Sequence, residues 1–279
     1  MKDFYKPDKL NFLTAGMPLS TGKGGYKRAF EILEQMNLDG LEVEFVHGVR
    51  ISDESKQLIK DKKNLMFTAH GPFYINLNSK EEAKVEASVE RIIETAQVAS
   101  DFGGYSITYH AAFYMGADKE VVYNQVKAQT KKIVDILEKN GIKIWIRPET
   151  TGKSTQWGDY EEIIRLSKEF EHVLPCIDFS HIHARTGGEY NTYDEFCRVL
   201  DRIGTELGEF ALKNFHAHLA GIEYSQKGEK RHLILEESDM NYQDLLRALK
   251  SFDVKGALVC ESPNIETDTK ILKDYWDSL

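Results

Sequence analysis

The sequence predicts a single domain, residues 1–279, with the (β/α)8 TIM-barrel fold. Eight short runs rich in β-branched and aromatic residues alternate with eight longer segments of helical periodicity. No Gly-, Ser- or Pro-rich linker interrupts this alternation, and 279 residues fall within the range of one barrel domain. An open, doubly wound sheet is the alternative architecture for the same alternation.

Each predicted strand leads into a predicted helix. The strands are 10–15, 40–45, 65–69, 105–109, 143–147, 173–178, 214–219 and 257–261. The helices are 25–36, 53–62, 80–102, 118–140, 159–170, 191–207, 241–252 and 266–276. Capping patterns such as Ser52-Asp53-Glu54 and Asn78-Ser79-x-Glu81 indicate where helices begin. The run 22–25 (Gly-Lys-Gly-Gly) lacks the spacing of a nucleotide-binding loop and is interpreted as a flexible connection.

Composition and charge narrow the classes of function. The formal net charge of −9 argues against a protein that coats nucleic acid by electrostatics alone, although three bound dications would reduce it to −3. Three dispersed cysteines (Cys176, Cys197 and Cys260) without a C-x-x-C pair indicate reduced thiols. Residues 1–9 contain no apolar export segment, and no apolar run is long enough to span a membrane. We therefore expect a cytoplasmic protein without a membrane partner.

The histidines gather at one end of the predicted barrel. Eight of the nine lie at or just after the carboxyl ends of predicted strands, where barrel enzymes carry their chemistry: His47, His70, His110, His181, His183, His216, His218 and His232. His172 lies elsewhere. Three carboxylates reach the same level, namely Glu149, Asp178 and Glu261. A lone histidine is typically structural, but convergence of six or seven on one face favours a functional site.

This mixture of side chains is typical of a site for divalent metal ions. Imidazoles and carboxylates suit zinc, manganese or iron, and eight ligands exceed the three or four of a mononuclear site. They are His70, His110, Glu149, Asp178, His181, His218, His232 and Glu261. Two or three ions in one site suit phosphodiester hydrolysis, in which the ions activate water and neutralise phosphate oxygens. A sugar isomerase, epimerase or dehydratase with one or two ions is the alternative and needs fewer histidines.

Several motifs carry a resemblance to a known family. They are His70-Gly-Pro-Phe-Tyr-Ile-Asn-Leu77, Glu149-Thr-Thr-Gly152, Cys176-Ile-Asp178-Phe-Ser-His181, His218, Arg231-His232 and Glu261. Together they resemble the endonuclease IV family of apurinic/apyrimidinic endonucleases, within the xylose isomerase-like barrels. The resemblance implies two or three Zn²⁺ ions, with Mn²⁺ or Fe²⁺ as alternatives. The first would be held by His70, His110 and Glu149, the second by Glu149, Asp178, His218 and Glu261, and the third by His181 and His232.

One position departs from the family pattern. The family has an aspartate directly before the Arg-His pair, whereas this chain has Lys230, which cannot bind a metal while protonated. The third site therefore uses Glu229 from a shifted loop, takes His183 or His216 instead, or is weak. His216 and His218 are two residues apart on one predicted strand and share a face, and the His-Leu pair favours His218.

The resemblance implies a phosphodiesterase that cleaves double-stranded DNA 5′ to abasic sites, with Glu149 and Glu261 as its catalytic carboxylates. Arg50, Phe73 and Arg231 are the predicted substrate contacts. Arg50 stands where the family has an arginine after strand 2, but the Asn/Gln-rich remainder of that loop and its tryptophan are absent. Phe73 stands where the family usually has a tyrosine. We expect a monomer. Sugar isomerase or epimerase chemistry, or a barrel that only binds, are the alternatives.

Overall fold

The computed structural model describes residues 6–279. The prediction that the chain has no export segment concerns residues 1–9, of which residues 1–5 lie outside the described range. The strands are β1 (Leu10–Ala15), β2 (Gly40–Glu44), β3 (Met66–His70), β4 (Ser106–Tyr109), β5 (Ala112–Phe113), β6 (Trp145–Pro148), β7 (Gln156–Trp157), β8 (Ile177–Asp178), β9 (Phe215–Leu219), β10 (Gly221–Ser225), β11 (Gly228–Leu233) and β12 (Gly256–Cys260). The helices are α1 (Gly25–Gln35), α2 (Asp53–Asp61), α3 (Glu82–Asp101), α4 (Lys119–Lys139), α5 (Tyr160–Ser167), α6 (Phe179–Arg185), α7 (Tyr193–Leu207), α8 (Glu209–Leu212), α9 (Tyr242–Ser251) and α10 (Glu266–Ser278). Between residues 6 and 279, no helix has both the length and the apolar character needed to cross a membrane.

Eight of these strands form a parallel sheet that curls into a barrel. Their order is β6-β4-β3-β2-β1-β12-β9-β8, which follows the chain around a closed cylinder. Backbone bridges from Ile146 to Val173 and from Glu149 to Cys176 connect the two outer strands. The predicted TIM barrel is therefore confirmed, and the open sheet is wrong.

Local sequence signals explain why most elements lie close to their predicted positions. Ser52 caps α2 by accepting the amide of Ser55 at 3.1 Å. Asp159 and Glu162 form a reciprocal capping box at the start of α5. The amphipathic helices then bury their apolar faces against the barrel, which supplies most of their stability.

Several segments differ from the sequence prediction, among them the start of α3, the short helices α6 and α8 and four extra strands. The Asn78-Ser79-x-Glu81 pattern does not cap α3, because the Ser79 hydroxyl accepts the amide of Glu81 in a turn before that helix. Residues 179–185, interpreted as loop, form the short helix α6. Asp178 caps it by accepting the amide of His181 at 2.7 Å. Seven residues are too few to show a helical period in the sequence.

Four extra strands lie around the carboxyl end of the barrel. Strands β5 and β7, which follow β4 and β6, pair with each other. Strands β10 and β11 form an antiparallel hairpin directly after β9. These segments and α6 surround the mouth where the candidate ligands gather.

Candidate metal centre

Glu149 lies among four histidines at the carboxyl end of the barrel. Its Oε2 is 3.1 Å from His70 Nε2, and its Oε1 is 3.2 Å from His110 Nε2. The same Oε1 is 3.3 Å from His181 Nδ1 and 3.4 Å from His218 Nδ1. Glu149 is only 1% exposed. One buried carboxylate therefore faces imidazoles delivered by several elements of the barrel.

Candidate ligand atoms among residues 6–279 form four groups, in each of which all atoms lie within 4.8 Å of one another. One group is Cys176–His216–His218, and the other three overlap through shared carboxylates. The three overlapping groups are His70–His110–Glu149, Glu149–Asp178–His218–Glu261 and Asp178–His181–His232. Glu149 belongs to the first two groups, and Asp178 belongs to the last two. Carboxylates shared in this way suit a site in which neighbouring ions are a few ångströms apart.

The junction of β8 and α6 supplies two of the candidate ligands. Asp178 Oδ2 is 3.1 Å from His181 Nδ1, and the carbonyl oxygen of Thr150 is 2.9 Å from the same nitrogen. The Thr150 carbonyl oxygen is the hydrogen-bond acceptor of the two, and it favours a proton on Nδ1, which leaves Nε2 free to bind a metal. His181 Nε2 lies 3.6 Å from Glu229 Oε2.

A β-bulge in the hairpin places Glu229 on the same side as His232. The register of β10 and β11 shifts by one residue beside Glu223. Lys230 and Arg231 consequently both point outward, with their nitrogens 3.0 and 2.8 Å from the Glu223 carboxylate. An extra residue in one strand interrupts the alternation of faces. The Lys230 side chain therefore lies outside the candidate centre, whereas the carboxylate of Glu229 points into it.

The Glu149-Thr-Thr-Gly152 segment packs tightly against this hairpin. The amide of Glu229 donates to the carbonyl oxygen of Gly152 at 2.9 Å. A Cβ at position 152 would lie 2.6 Å from Glu229 Cβ and 3.0 Å from His181 Cδ2. Glycine is therefore required at position 152 for Glu229 to approach His181.

The charges of the cluster depend on one another. Burial opposes protonation of His70 and His181, but nearby carboxylates, Glu149 for both and Asp178 for His181, outweigh it and raise both pKa values to about 10. Burial, together with the negative charges of Glu261 and Glu149, raises the pKa of Asp178 to about 6. Metal ligands bind in their deprotonated forms, so bound ions would replace these protons.

Several buried polar atoms of the cluster have no hydrogen-bond partner. At the mouth of the barrel they include Glu149 Oε1, Asp178 Oδ2, His218 Nδ1, His232 Nε2 and Glu261 Oε2, and deeper in the barrel they include both oxygens of Glu42 and the Nε2 atoms of His216 and His218. Leaving one such atom unsatisfied costs about 1–3 kcal/mol, so their concentration in one place calls for a ligand. Imidazole nitrogens and carboxylate oxygens suit zinc, manganese or iron. The residues present therefore fit divalent metal ions.

Strand β2 contributes two further carboxylates, which the sequence analysis does not predict. Glu42 of β2 is fully buried, 3.1 Å from His218 Nε2 and 3.2 Å from His216 Nε2. Burial raises the pKa of Glu44 to about 8, although the nearby His70 opposes this. The signal was available, because these two glutamates alternate with apolar residues in a strand predicted to line the barrel.

The alternative ligands for the third site lie apart from it. His183 has its ring nitrogens 2.9 Å from the carbonyl oxygen of Glu189 and 3.2 Å from Asp239 Oδ1. His216 lies one layer below His218 in the barrel, with its Nδ1 2.9 Å from the Ser106 hydroxyl. Neither histidine belongs to the three overlapping groups, and His216 belongs instead to the group with Cys176 and His218.

The predicted substrate contacts lie at the exposed rim. Arg50 is exposed in the loop after β2, and Phe73, after β3, is 64% exposed beside the equally accessible Tyr74. Arg231 is exposed on β11 and contacts Glu223. Arg50 and Phe73 are accessible on loops at the carboxyl end of the barrel, whereas Arg231 points outward; none of the three belongs to a ligand group.

Comparison with known proteins identifies the family. The sequence profile described as xylose isomerase-like TIM barrel matches residues 30–278. The chain belongs to this family. An uncharacterized protein of Methanocaldococcus jannaschii is 45% identical over 271 residues, which cover 97% of this chain and 98% of that protein. A probable endonuclease 4 of Clostridium botulinum is 25% identical over 167 residues, covering 58% of each chain.

Solved structures share the fold. A D-tagatose 3-epimerase-like protein has a TM-score of 0.73 and 20% identity, covering 95% of this chain and 98% of its own. Endonuclease IV from Thermus thermophilus has a TM-score of 0.72 and 17% identity, covering 95% of this chain and 100% of its own. The relative and the structure that carry the endonuclease name confirm the resemblance to the endonuclease IV family. Because endonucleases and epimerases share this barrel, the side chains of the site must distinguish the two activities.

Proposed function

We propose that this protein is a metal-dependent phosphodiesterase of the endonuclease IV type, which hydrolyses DNA 5′ to abasic sites. The observation that carries the proposal is the overlap of three ligand groups through the buried carboxylates of Glu149 and Asp178. A site for one ion does not need eight candidate ligands with two of them shared. When bound, a cluster of divalent ions activates water and neutralises the charge on phosphate oxygens.

Each group of side chains has a defined role in this proposal. The first two ions would share Glu149, and the third would be held by Asp178, His181 and His232. Glu229 would complete the third site, since its Oε2 lies 3.6 Å from His181 Nε2. Glu261, whose Oε1 is 3.3 Å from His218 Nδ1, would both bind the second ion and orient the attacking water.

Positive side chains on the rim support a phosphate-rich substrate. Lys227 is exposed at the turn of the β10–β11 hairpin, and Lys230 and Arg231 are exposed on its outer face, where the two cations share the single carboxylate of Glu223. Arg50 and the exposed ring of Phe73 lie on the loops after β2 and β3. Basic groups of this kind position a nucleic-acid backbone, while a flat apolar ring can stack on a base. A monomer acting on cytoplasmic DNA is part of the proposal.

The direct test is incision of an end-labelled duplex that contains one stable abasic analogue. Protein loaded with zinc or manganese should cut 5′ to the analogue and leave a 3′ hydroxyl, and chelator-treated protein should not. Glu261→Gln should lose incision while keeping its fold. Glu138→Gln is the matched control, because it removes a carboxylate 3.2 Å from His172, which belongs to no ligand group. Absence of incision by fully loaded protein would refute the proposal.

One observation favours a second candidate, a sugar isomerase or epimerase. The group Glu149–Asp178–His218–Glu261 alone supplies four ligands for a single ion, and one ion is sufficient to polarise the hydroxyl and carbonyl oxygens of a sugar. Incubating the loaded protein with ketohexoses and separating the products by chromatography tests this candidate. Epimerised sugar, together with no incision of the duplex, would favour it over the nuclease.

A further inference from the structure

A buried carboxylate connects two histidines beneath the candidate metal centre. Glu42 Oε1 is 3.1 Å from His218 Nε2, and Glu42 Oε2 is 3.2 Å from His216 Nε2. All three side chains are 0% exposed. We call these three residues the floor triad. Charged residues inside a barrel that normally packs aliphatic side chains require a specific reason.

The strands arrange the floor triad in two layers. His216 and His218 are two residues apart on β9, so both side chains point into the barrel. His218 reaches the upper layer, where its Nδ1 is 3.4 Å from Glu149 and 3.3 Å from Glu261. His216 occupies the layer below. Glu42 reaches both layers because each of its oxygens faces a different histidine.

The surroundings of His216 favour one position for its ring proton. Its Nδ1 lies 2.9 Å from the Ser106 hydroxyl, which can donate a hydrogen bond to that nitrogen. A neutral His216 then carries its proton on Nε2, the nitrogen that lies 3.2 Å from Glu42 Oε2. The other carboxylate oxygen, Oε1, lies 3.1 Å from His218 Nε2, and neither contact has the angles of an aligned hydrogen bond.

We propose that Glu42 and His216 are positioning residues that fix the tautomer and ring orientation of His218. With its Nε2 proton directed to Glu42, His218 presents the Nδ1 lone pair to the group that contains Glu149 and Glu261. Metal-binding histidines commonly have such a carboxylate partner, whose loss weakens metal binding about 10–100-fold. The inference rests on the proposed metal centre but not on the identity of the substrate.

The first experiment measures metal affinity instead of incision. Competition with a chromophoric chelator should show that Glu42→Gln weakens the second ion about 10–100-fold, with little effect on the other two. Ser106→Ala only removes the hydroxyl beside His216 and should weaken the second ion by a smaller factor. This variant keeps the test valid if Glu42→Gln fails to fold. Glu138→Gln, which breaks a carboxylate–histidine contact elsewhere, should bind like the wild type. Wild-type affinity in both Glu42→Gln and Ser106→Ala would overturn the proposal.

The second experiment observes the tautomer directly. Long-range ¹H–¹⁵N spectra of zinc-loaded protein with labelled histidine, assigned with a His218→Asn variant, should show His218 protonated at Nε2 and metal-bound at Nδ1. Coordination through Nε2 would refute the proposal. Cobalt-loaded protein gives a further check, because Cys176 lies with His216 and His218 in a group of atoms within 4.8 Å of one another. A thiolate-to-cobalt charge-transfer band would overturn the proposal, since the lower layer would then itself bind metal. A protein that passes both experiments and fails to cut DNA would refute only the proposed substrate.

Discussion

Replacing Glu149 with Gln tests the shared position of this carboxylate. Glu149 belongs to two of the three overlapping ligand groups. Gln has nearly the same shape, but it is neutral and offers one acceptor oxygen instead of two. We therefore expect the variant to lose two ions and to keep the ion of the remaining group, Asp178–His181–His232.

The expected change in melting temperature follows from mass action and chain length. An ion present at 100 times its Kd stabilises the folded state by about 2.7 kcal/mol. An unfolding entropy of about 2.1 cal/mol/K per residue gives about 0.6 kcal/mol/K for 279 residues, so each ion raises the Tm by about 4–5 °C. Metal should thus raise the Tm of the wild type by about 14 °C and that of Glu149→Gln by about 5 °C.

Calorimetry measures the Tm of each protein, and elemental analysis of the same samples counts the bound ions. The Tm of each protein is measured with chelator and with excess zinc, and only the difference is compared, because losing Glu149 also leaves buried histidines without their partner. Glu138→Gln serves as the control and should match the wild type. Three tightly bound ions and a shift of about 14 °C in Glu149→Gln would refute the proposed bridging role.

Three further predictions concern separate parts of the site. Glu229→Gln should reduce the bound zinc from three ions to two, whereas Lys230→Gln should leave three, as measured by elemental analysis after dialysis. Chelator-treated protein should unfold at lower urea concentration at pH 9.5 than at pH 7. In the folded state the pKa values of His70 and His181 are raised to about 10, and the stability that their protonation gives is lost as the pH rises toward 10. An unchanged urea midpoint would contradict this. Arg185→Met should lower the free energy of unfolding by about 2 kcal/mol in denaturant titrations, because Arg185 donates to carbonyl oxygens of the 151–156 segment at 2.6–3.3 Å; a loss below about 0.5 kcal/mol would contradict it.

The fold and most of the candidate centre follow from simple rules of sequence. Parallel barrel strands all end at one rim, so residues at strand ends meet even when they are distant in the chain. Glu149 and His218 are 69 positions apart in the sequence and lie 3.4 Å apart. Neither the order of the strands nor the rim position of these residues required knowledge of side-chain conformation.

Other features depend on geometry that periodicity does not report. Helix α6 is too short to show a period, although Asp178 before it is a good N-cap. Glu42 and Glu44 show the alternation of a strand, but this pattern alone does not distinguish a paired acid in the barrel from a residue that merely faces its interior. Tertiary contacts such as Glu42 to His216 decide which of these buried acids is paired.

The bulge in the β10–β11 hairpin explains how the chain can depart from the endonuclease IV pattern and still present a carboxylate at the proposed third site. A shift of one residue turns Lys230 to the rim, where a cation suits phosphate, and turns Glu229 inward. Glu229 approaches His181 only because position 152 has no side chain: a Cβ there would lie 2.6 Å from Glu229 Cβ. Gly152→Ala should therefore displace Glu229 and cost the third ion, while the two ions that share Glu149 stay bound. If elemental analysis finds three ions in Gly152→Ala and two in Glu229→Gln, the steric argument is wrong; if both variants keep three, Glu229 is not a ligand and the third site is complete without it.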